Sequence, residues 1–426
     1  MNSTNIEASR FRDEALPYLT SDLPGVGGVI KEADEDFVVE EVPLYEPSGE
    51  GTHVFFEIEK QGLTTRDAIA RVCRSIGCQR RDVGYAGLKD ARGVTRQVLS
   101  VEHVDPEKVL AASADRVRVL WAKLHQNKLK IGHLSGNRFV IRIRGAQAGS
   151  FERAEAIVAR LAARGMPNYF GPQRFGMRGT NAIVGRAALL GDFERAINVL
   201  CGGPADDDSP GGKLARELFE QGDYAASLKA WPGGHCTERA LCRWMERGSL
   251  DWSKAWRSVD RAMRKLYVSA FQSELFNRVV AKRIERIGEM MPGDLAWLHR
   301  NGACFAVEDL TAEQKRCDAF EISPSGPMFG KKMTQPKGEA ASLEASVLKE
   351  CGLDLDGRFS GASDRPEGAR RPIRVPVQGA TCCEGEDSNG AYLELRFELP
   401  PGSFATSFVR EVCKSVGRAV EPTGCA

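Results

Sequence analysis

The chain is poor in the residues that most often carry acid–base and metal chemistry. Six histidines occur among 426 residues, and none stands in an H-E-x-x-H arrangement. The twelve cysteines are scattered, with no C-x-x-C pair and no Cys/His set at zinc-finger spacing. His235 and Cys236 with Cys242 come nearest to a ligand cluster, but reduced structural thiols are the simpler reading, and no metal is expected. There is no Walker A motif and no G-x-S-x-G elbow, and the glycine-rich PGVGGVIK does not fit G-x-G-x-x-G. No nucleotide cofactor is therefore expected. No stretch approaches the roughly 18 apolar residues that span a membrane. The first twenty residues carry acids and lack an apolar signal-peptide core, so a cytoplasmic protein without membrane association is expected.

What the chain has is length and a segregated charge. At 426 residues it exceeds one ordinary core, so two domains are anticipated. The net charge is only +1, yet the signs are sorted. Eight basic residues and no acid lie between Arg116 and Arg144: Arg116, Arg118, Lys123, Lys128, Lys130, Arg138, Arg142 and Arg144. Between Lys31 and Glu50 there are eight acids and one base. The basic block suggests a polyanion-binding face, with a merely solvated face as the alternative.

Hydrophobic periodicity gives a mixed α+β class without a βαβ rhythm. HVFFEIEK places Val54, Phe56 and Ile58 on one face of a strand, and RFVIRIR sets Phe139, Ile141 and Ile143 against a row of Arg138, Arg142 and Arg144. AYLELRFEL aligns Leu393, Leu395, Phe397 and Leu399. Between them TTRDAIARVCRSIG reads as a helix capped by Thr64 or Thr65 and stopped by Gly77. A second helix runs from Ser150, as its cap, to Gly165, and a long helix or broken pair covers 259–288. SFATSFVREVCKSVG makes a short closing helix. Strands near both ends lack local partners; a sheet shared by the two ends, with a domain inserted between, would supply them.

The stretch GYAGLKDARGVTRQ (84–97) concentrates the chemistry. Its small residues let backbone approach a ligand, and Asp90 is a carboxylate among Lys89, Arg92 and Arg96. Taken alone it favours a tight turn with Asp90 as turn former over a reactive acid.

This stretch resembles the signature of the TruD family of tRNA pseudouridine synthases, close to A-G-x-K-D-x-x-A-x-T-x-Q. Ala86, Gly87, Lys89, Asp90, Thr95 and Gln97 match, and Gly93 departs where the family usually has Ala. Other similar blocks lie in order along the chain: KEADEDFVVEEV before it, then KLKIGHLSGNRFVIRIR, GMPNYFGPQRFG, LYVSAFQSELFN, SPSGPMFG and LPPGSFATSFVRE. The resemblance implies a pseudouridine-synthase-type, largely antiparallel sheet with flanking helices, interrupted by an inserted α/β TRUD domain. The expected division is 1–164 and 375–426 as the catalytic domain and 165–374 as the insertion, with 200–260 longer than in compact members. It implies isomerisation of uridine to pseudouridine in tRNA, typically at position 13, with tRNA as partner and no cofactor. Asp90 matches the catalytic aspartate, attacking ribose C1′ or base C6 or assisting glycal formation. Phe37, Phe139 and Phe404 match the pocket around a flipped uracil, and Asn137 its polar edge. Lys31 and Lys89 are expected to hold Asp90 ionised. Phe139 shares a face with Ile141 and Ile143, so a core role competes for it, and PNYFGPQRFG is expected as a hinge that also lines the cleft.

Two rivals stand beside this reading. A non-catalytic RNA-binding module would need the basic block and the aromatics but not Asp90. A methyltransferase would need the glycine-rich cofactor loop that the chain lacks. Nothing in the sequence points to a protein partner.

Overall fold

The computed structural model describes residue 11 and residues 13–112, 114–248, 251–353 and 366–414. The chain forms two compact units. One is made of Leu19–Met166 and the described part of Val375–Val420, the other of Pro167–Arg374 with the described residues up to Tyr18.

The first unit is built on a nine-stranded sheet. Its strands are β1 (Gly27–Ile30), β2 (Phe37–Pro43), β3 (His53–Gln61), β4 (Gly84–Tyr85), β5 (Val94–Glu102), β6 (Val117–His125), β7 (Leu134–Ala146), β8 (Gln378–Asp387) and β9 (Gly390–Leu399). The order is β8-β9-β7-β2-β5-β3-β6, with β1 also on β7 and β4 on β5. All these pairs are antiparallel except β2 with β5. The alternation in β7 and β9 explains their pairing: Ile141 faces Leu395 and Phe139 faces Phe397, so two apolar rows meet in register. The early and late parts of the chain thus share one sheet.

β3 is packed on both sides. Val54, Phe56 and Ile58 join a core with Ile69, Val72, Cys73 and Ile76 of helix α1 (Thr65–Ile76). Phe55 is buried on the opposite side with Ala86, Val98 and Leu129. α1 starts where Thr64 accepts a hydrogen bond from Asp67 N and stops at Gly77, whose φ of 79° is the left-handed cap. Helix α2 (Ser150–Arg164) buries Ala154, Ile157, Val158 and Leu161, one stripe at helical spacing. Its N-cap is Gly149 at φ 67°, so Ser150 lies inside the helix rather than capping it. Helix α3 (Ala405–Cys413) lays Phe408 on Phe397, ring centroids 3.9 Å apart. Its buried Glu411 accepts from Leu19 N, Thr20 N and Thr20 Oγ1, tying the first residues of the unit to its last helix.

In the second unit the 200–260 region is helical. Its helices surround a core that includes Trp231, Trp256, Leu241 and Tyr267. Arg261–Lys282 is a single 22-residue helix, not a broken pair. A four-stranded sheet lies in the order Cys304–Ala306, Leu295–Leu298, Ile322–Met328, Ala369–Pro372. Tyr169, Phe170 and Phe175 of the PNYFGPQRFG stretch are buried, and Asn277 clamps the Phe170 backbone through both N–H and C=O at 2.8 and 2.9 Å. Phe11 stacks on Phe175 at 3.8 Å. Among the described residues no helix is long and apolar enough to cross a membrane.

Candidate active site

The loop 86–93 joins β4 to β5 on the sheet unit, and a set of buried polar groups fixes its path. Thr65 Oγ1, at the start of α1, accepts from Lys89 N and donates to Gln97 Oε1, each at 2.9 Å. Gln97, fully buried, reaches back to Gly87 O. Lys60 Nζ donates to Leu63 O and to Asp90 O, both at 2.6 Å. Gly93 N donates to Asp34 Oδ1. Gly93 itself has φ 132°, and a Cβ there would sit 2.4 Å from Phe37 O. Glycine is therefore the residue this backbone requires, and the one departure from the signature has a steric cause.

These bonds leave the Asp90 side chain at the surface, 38% exposed, with Oδ2 2.7 Å from Lys31 Nζ. The same ammonium lies 3.9 Å above the Phe37 ring. Lys31 takes φ 62°, a left-handed conformation uncommon outside glycine and asparagine. Lys31 and Asp90, 59 residues apart, are thus brought together as expected.

Lys89 does not support Asp90 in the expected way. Its Nζ turns to Glu41 Oε2 at 2.9 Å and Asn137 Oδ1 at 2.5 Å, and both charged side chains are almost fully buried. The reason is register: Glu41 on β2 stands directly opposite Asn137 on β7, so one ammonium reaches both. Because Lys89 occupies Asn137 Oδ1, the amide presents its Nδ2 donor, which bonds to no group among the described residues.

The three phenylalanines differ. Phe37 and Phe139 are 4% and 6% exposed, with rings 6.5 Å apart, edge to face. Phe139 stacks on Phe397 at 5.3 Å, and Phe397 stacks on Phe408. Phe139 is therefore part of an aromatic column, as its strand face suggested. Phe404, at the N-cap of α3 and one turn before Phe408, is 39% exposed.

Sequence reasoning missed Lys60, Glu41 and Thr65. Lys60 left a signal: it continues the parity of Val54, Phe56 and Ile58, a lysine on the apolar face of its strand. It is 1% exposed, and burial lowers its pKa to about 8 against the upward pull of Asp90.

Half of the basic block is neutralised within the sheet unit. β2 runs antiparallel to β7 with Glu40 opposite Arg138, so the acidic and basic runs meet each other. Arg138 pairs with Glu40 and Glu398, Arg142 with Asp387 and Glu394, and Arg118 with Glu59. Arg144 is buried between Asp36 and Asp387. Its hydrogen bonds hold Asp387 down at about 2, and the two carboxylates raise the guanidinium. Arg118, Arg138, Arg142 and Arg144 are thus engaged in ion pairs within the sheet unit. Arg116, Lys123, Lys128 and Lys130 make no ion pair among the described residues.

Comparison with known proteins adds the family. Residues 15–412 match the family model of tRNA pseudouridine synthase D (TruD). The tRNA pseudouridine synthase D of Geobacter sulfurreducens is 48% identical over 402 residues, covering 94% of this chain and 97% of that protein. That of Syntrophotalea carbinolica is 40% identical over 398 residues, covering 93% and 99%. The crystal structure of a tRNA pseudouridine synthase D from Methanosarcina mazei superposes with a TM-score of 0.83 at 26% identity, covering 97% of this chain and 99% of that one.

Proposed function

Because this chain belongs to the tRNA pseudouridine synthase D family, we propose that Asp90 is the nucleophile with which it isomerises uridine to pseudouridine in tRNA, at position 13. The observation that carries this reading is the placement of Asp90. Its backbone is clamped by Lys60, while its carboxylate stands at the surface beside an ammonium. A uridine in folded tRNA must leave its stack before any side chain reaches C1′ or C6. The exposed ring of Phe404 gives the flipped base a stacking surface, an interaction of roughly 1–3 kcal/mol, and Phe139 and Phe37 support the pocket from the core. Asn137 Nδ2 donates to a uracil carbonyl, and Lys89 fixes the amide's orientation from behind. Attack by the Asp90 carboxylate at C1′ or C6 allows the N1–C1′ bond to break. The uracil then turns, C5 bonds to C1′, the bond to the Asp90 carboxylate breaks, the C5 proton leaves and N1 takes up a proton, so atoms and electrons balance without a redox partner or group donor.

The test is tritium release from tRNA labelled with [5-³H]uridine. Asp90→Asn should abolish release and leave tRNA binding largely intact; full activity in Asp90→Asn would overturn the assignment. Mapping pseudouridine in tRNA from cells lacking the protein checks the position, which should be lost at 13 alone.

A further inference from the structure

The sheet face crossed by the Asp90 loop carries a second recess. Behind the turn that follows β2 lies a cavity of about 170 Å³, lined among others by Tyr45, Phe55, Trp121, His133, Glu57 and Lys123. It shares supporting residues with the candidate active site. Glu41, the partner of Lys89, forms part of its wall. Leu129, another wall residue, packs with Ala86 of the Asp90 loop, and Gly132 N donates to Ala86 O at 2.8 Å.

The lining has a specific chemistry. Tyr45 stacks on His125 at 5.4 Å, and its hydroxyl is 2.7 Å from His133 Nδ1, so the ring is held in place. Trp121 Nε1 donates to Glu57 Oε2 at 2.8 Å, which fixes both indole and carboxylate. Oε1 of Glu57 bonds to no group among the described residues. Burial raises the Glu57 pKa, outweighing the downward pull of the Trp121 hydrogen bond and of Arg96. Lys123 is exposed beside Trp121, its Nζ 5.7 Å from the ring centroid. A cavity that served only packing would be closed and apolar. This one holds aromatic rings, an acceptor-only carboxylate and a lysine free of acids.

Rings of this kind take a base by stacking. A carboxylate accepts from an exocyclic amine, as Glu does from cytosine N4, and a lysine at the edge reaches a phosphate. Uracil has no exocyclic amine, and its one base-edge N–H lies between two carbonyls that would meet Glu57 oxygen to oxygen. The recess is thus chemically distinct from the place of the reacting uridine. We propose that it is a second nucleoside subsite, which takes an unpaired, amino-bearing base (adenine, guanine or cytosine) of the same tRNA while Asp90 engages the uridine. This rests on the reading of the Asp90 site as one that acts on tRNA.

The experiment is an abasic scan: tRNAs lacking one base at each unpaired position, assayed for binding to wild type and to Glu57→Gln. One position should lose affinity about tenfold in wild type, and the same loss should be absent in Glu57→Gln, whose own KM for intact tRNA rises more than its kcat falls. Tyr45→Phe, which keeps the ring and removes only the hydroxyl, should behave as a weaker copy. A scan in which no position distinguishes Glu57→Gln from wild type would overturn the subsite. So would an unchanged KM in Glu57→Gln. A wild-type protein that released no tritium would instead overturn the isomerase reading beneath it.

Discussion

A charge with almost no access to water is unfavourable unless its protons are used, and Lys60 spends them on two backbone carbonyls, one of them that of Asp90. It acts through Asp90 as a positioning residue. Lys60→Met should lower kcat by about 10–100-fold, since small displacements of a reacting group are costly, with a smaller change in KM for tRNA. The pH dependence of stability supplies a second readout. Below pH 8 Lys60 is charged in both the folded and unfolded chain. Between about 8 and the ordinary value of 10.5 the unfolded chain keeps a proton that the folded one has released, so this residue's contribution to stability rises with pH across that window. Urea unfolding of wild type and Lys60→Met should therefore diverge in favour of wild type from pH 8 to 10.5; parallel curves would refute the lowered pKa. The sequence marked Asp90 and its loop but could not show where Lys89 turns. That depends on Glu41 and Asn137 meeting across two strands, a register no local pattern encodes.

Strand β7 carries both an apolar row and a charged row, and the second is paired by acids on or beside β2, β8 and β9. Arg144 is the extreme case, buried with Asp36 and bridging to Asp387. Arg144→Ala strands Asp36 in the core with no cation and only the Ala33 N–H, which should lower the unfolding free energy by about 3–5 kcal/mol. Arg138→Ala, at a half-exposed pair, should cost about 0–1 kcal/mol. Denaturant unfolding of the two variants side by side checks the contrast, and equal losses would contradict the burial argument. At this scale the sequence was read well where periodicity and caps decide: the rows of β7 and β9, and α1 between Thr64 and Gly77. It was silent or misread where tertiary packing and backbone conformation decide. Phe55 is covered by a cluster assembled from β5, β6 and the 126–134 segment, and Ser150 yields the cap to a left-handed glycine.

For the molecule as a whole, a net charge of +1 hides an internal cancellation of the acidic and basic runs. What remains for a polyanion on this stretch is Arg116, Lys123, Lys128 and Lys130. tRNA affinity should fall with salt, and Lys123→Ala with Lys130→Ala should flatten the slope of log K against log salt by about 1–2. Arg142→Ala should leave the slope unchanged, and an equal effect from Arg142 would restore the arginine row as a phosphate surface. Composition alone could not separate the two sets, because ion pairing between strands is invisible until their register is known. The shared sheet has one more consequence, for the time before the protein is complete. Ile141 on β7 finds its partner Leu395 some 250 residues later. At roughly 5–20 residues per second on the ribosome, the edge of β7 waits on the order of 10–50 s for β9. During that interval a long, apolar strand edge is open to any neighbouring chain, so the nascent protein is at its most vulnerable to aggregation after the sheet has begun and before its last strand has been made.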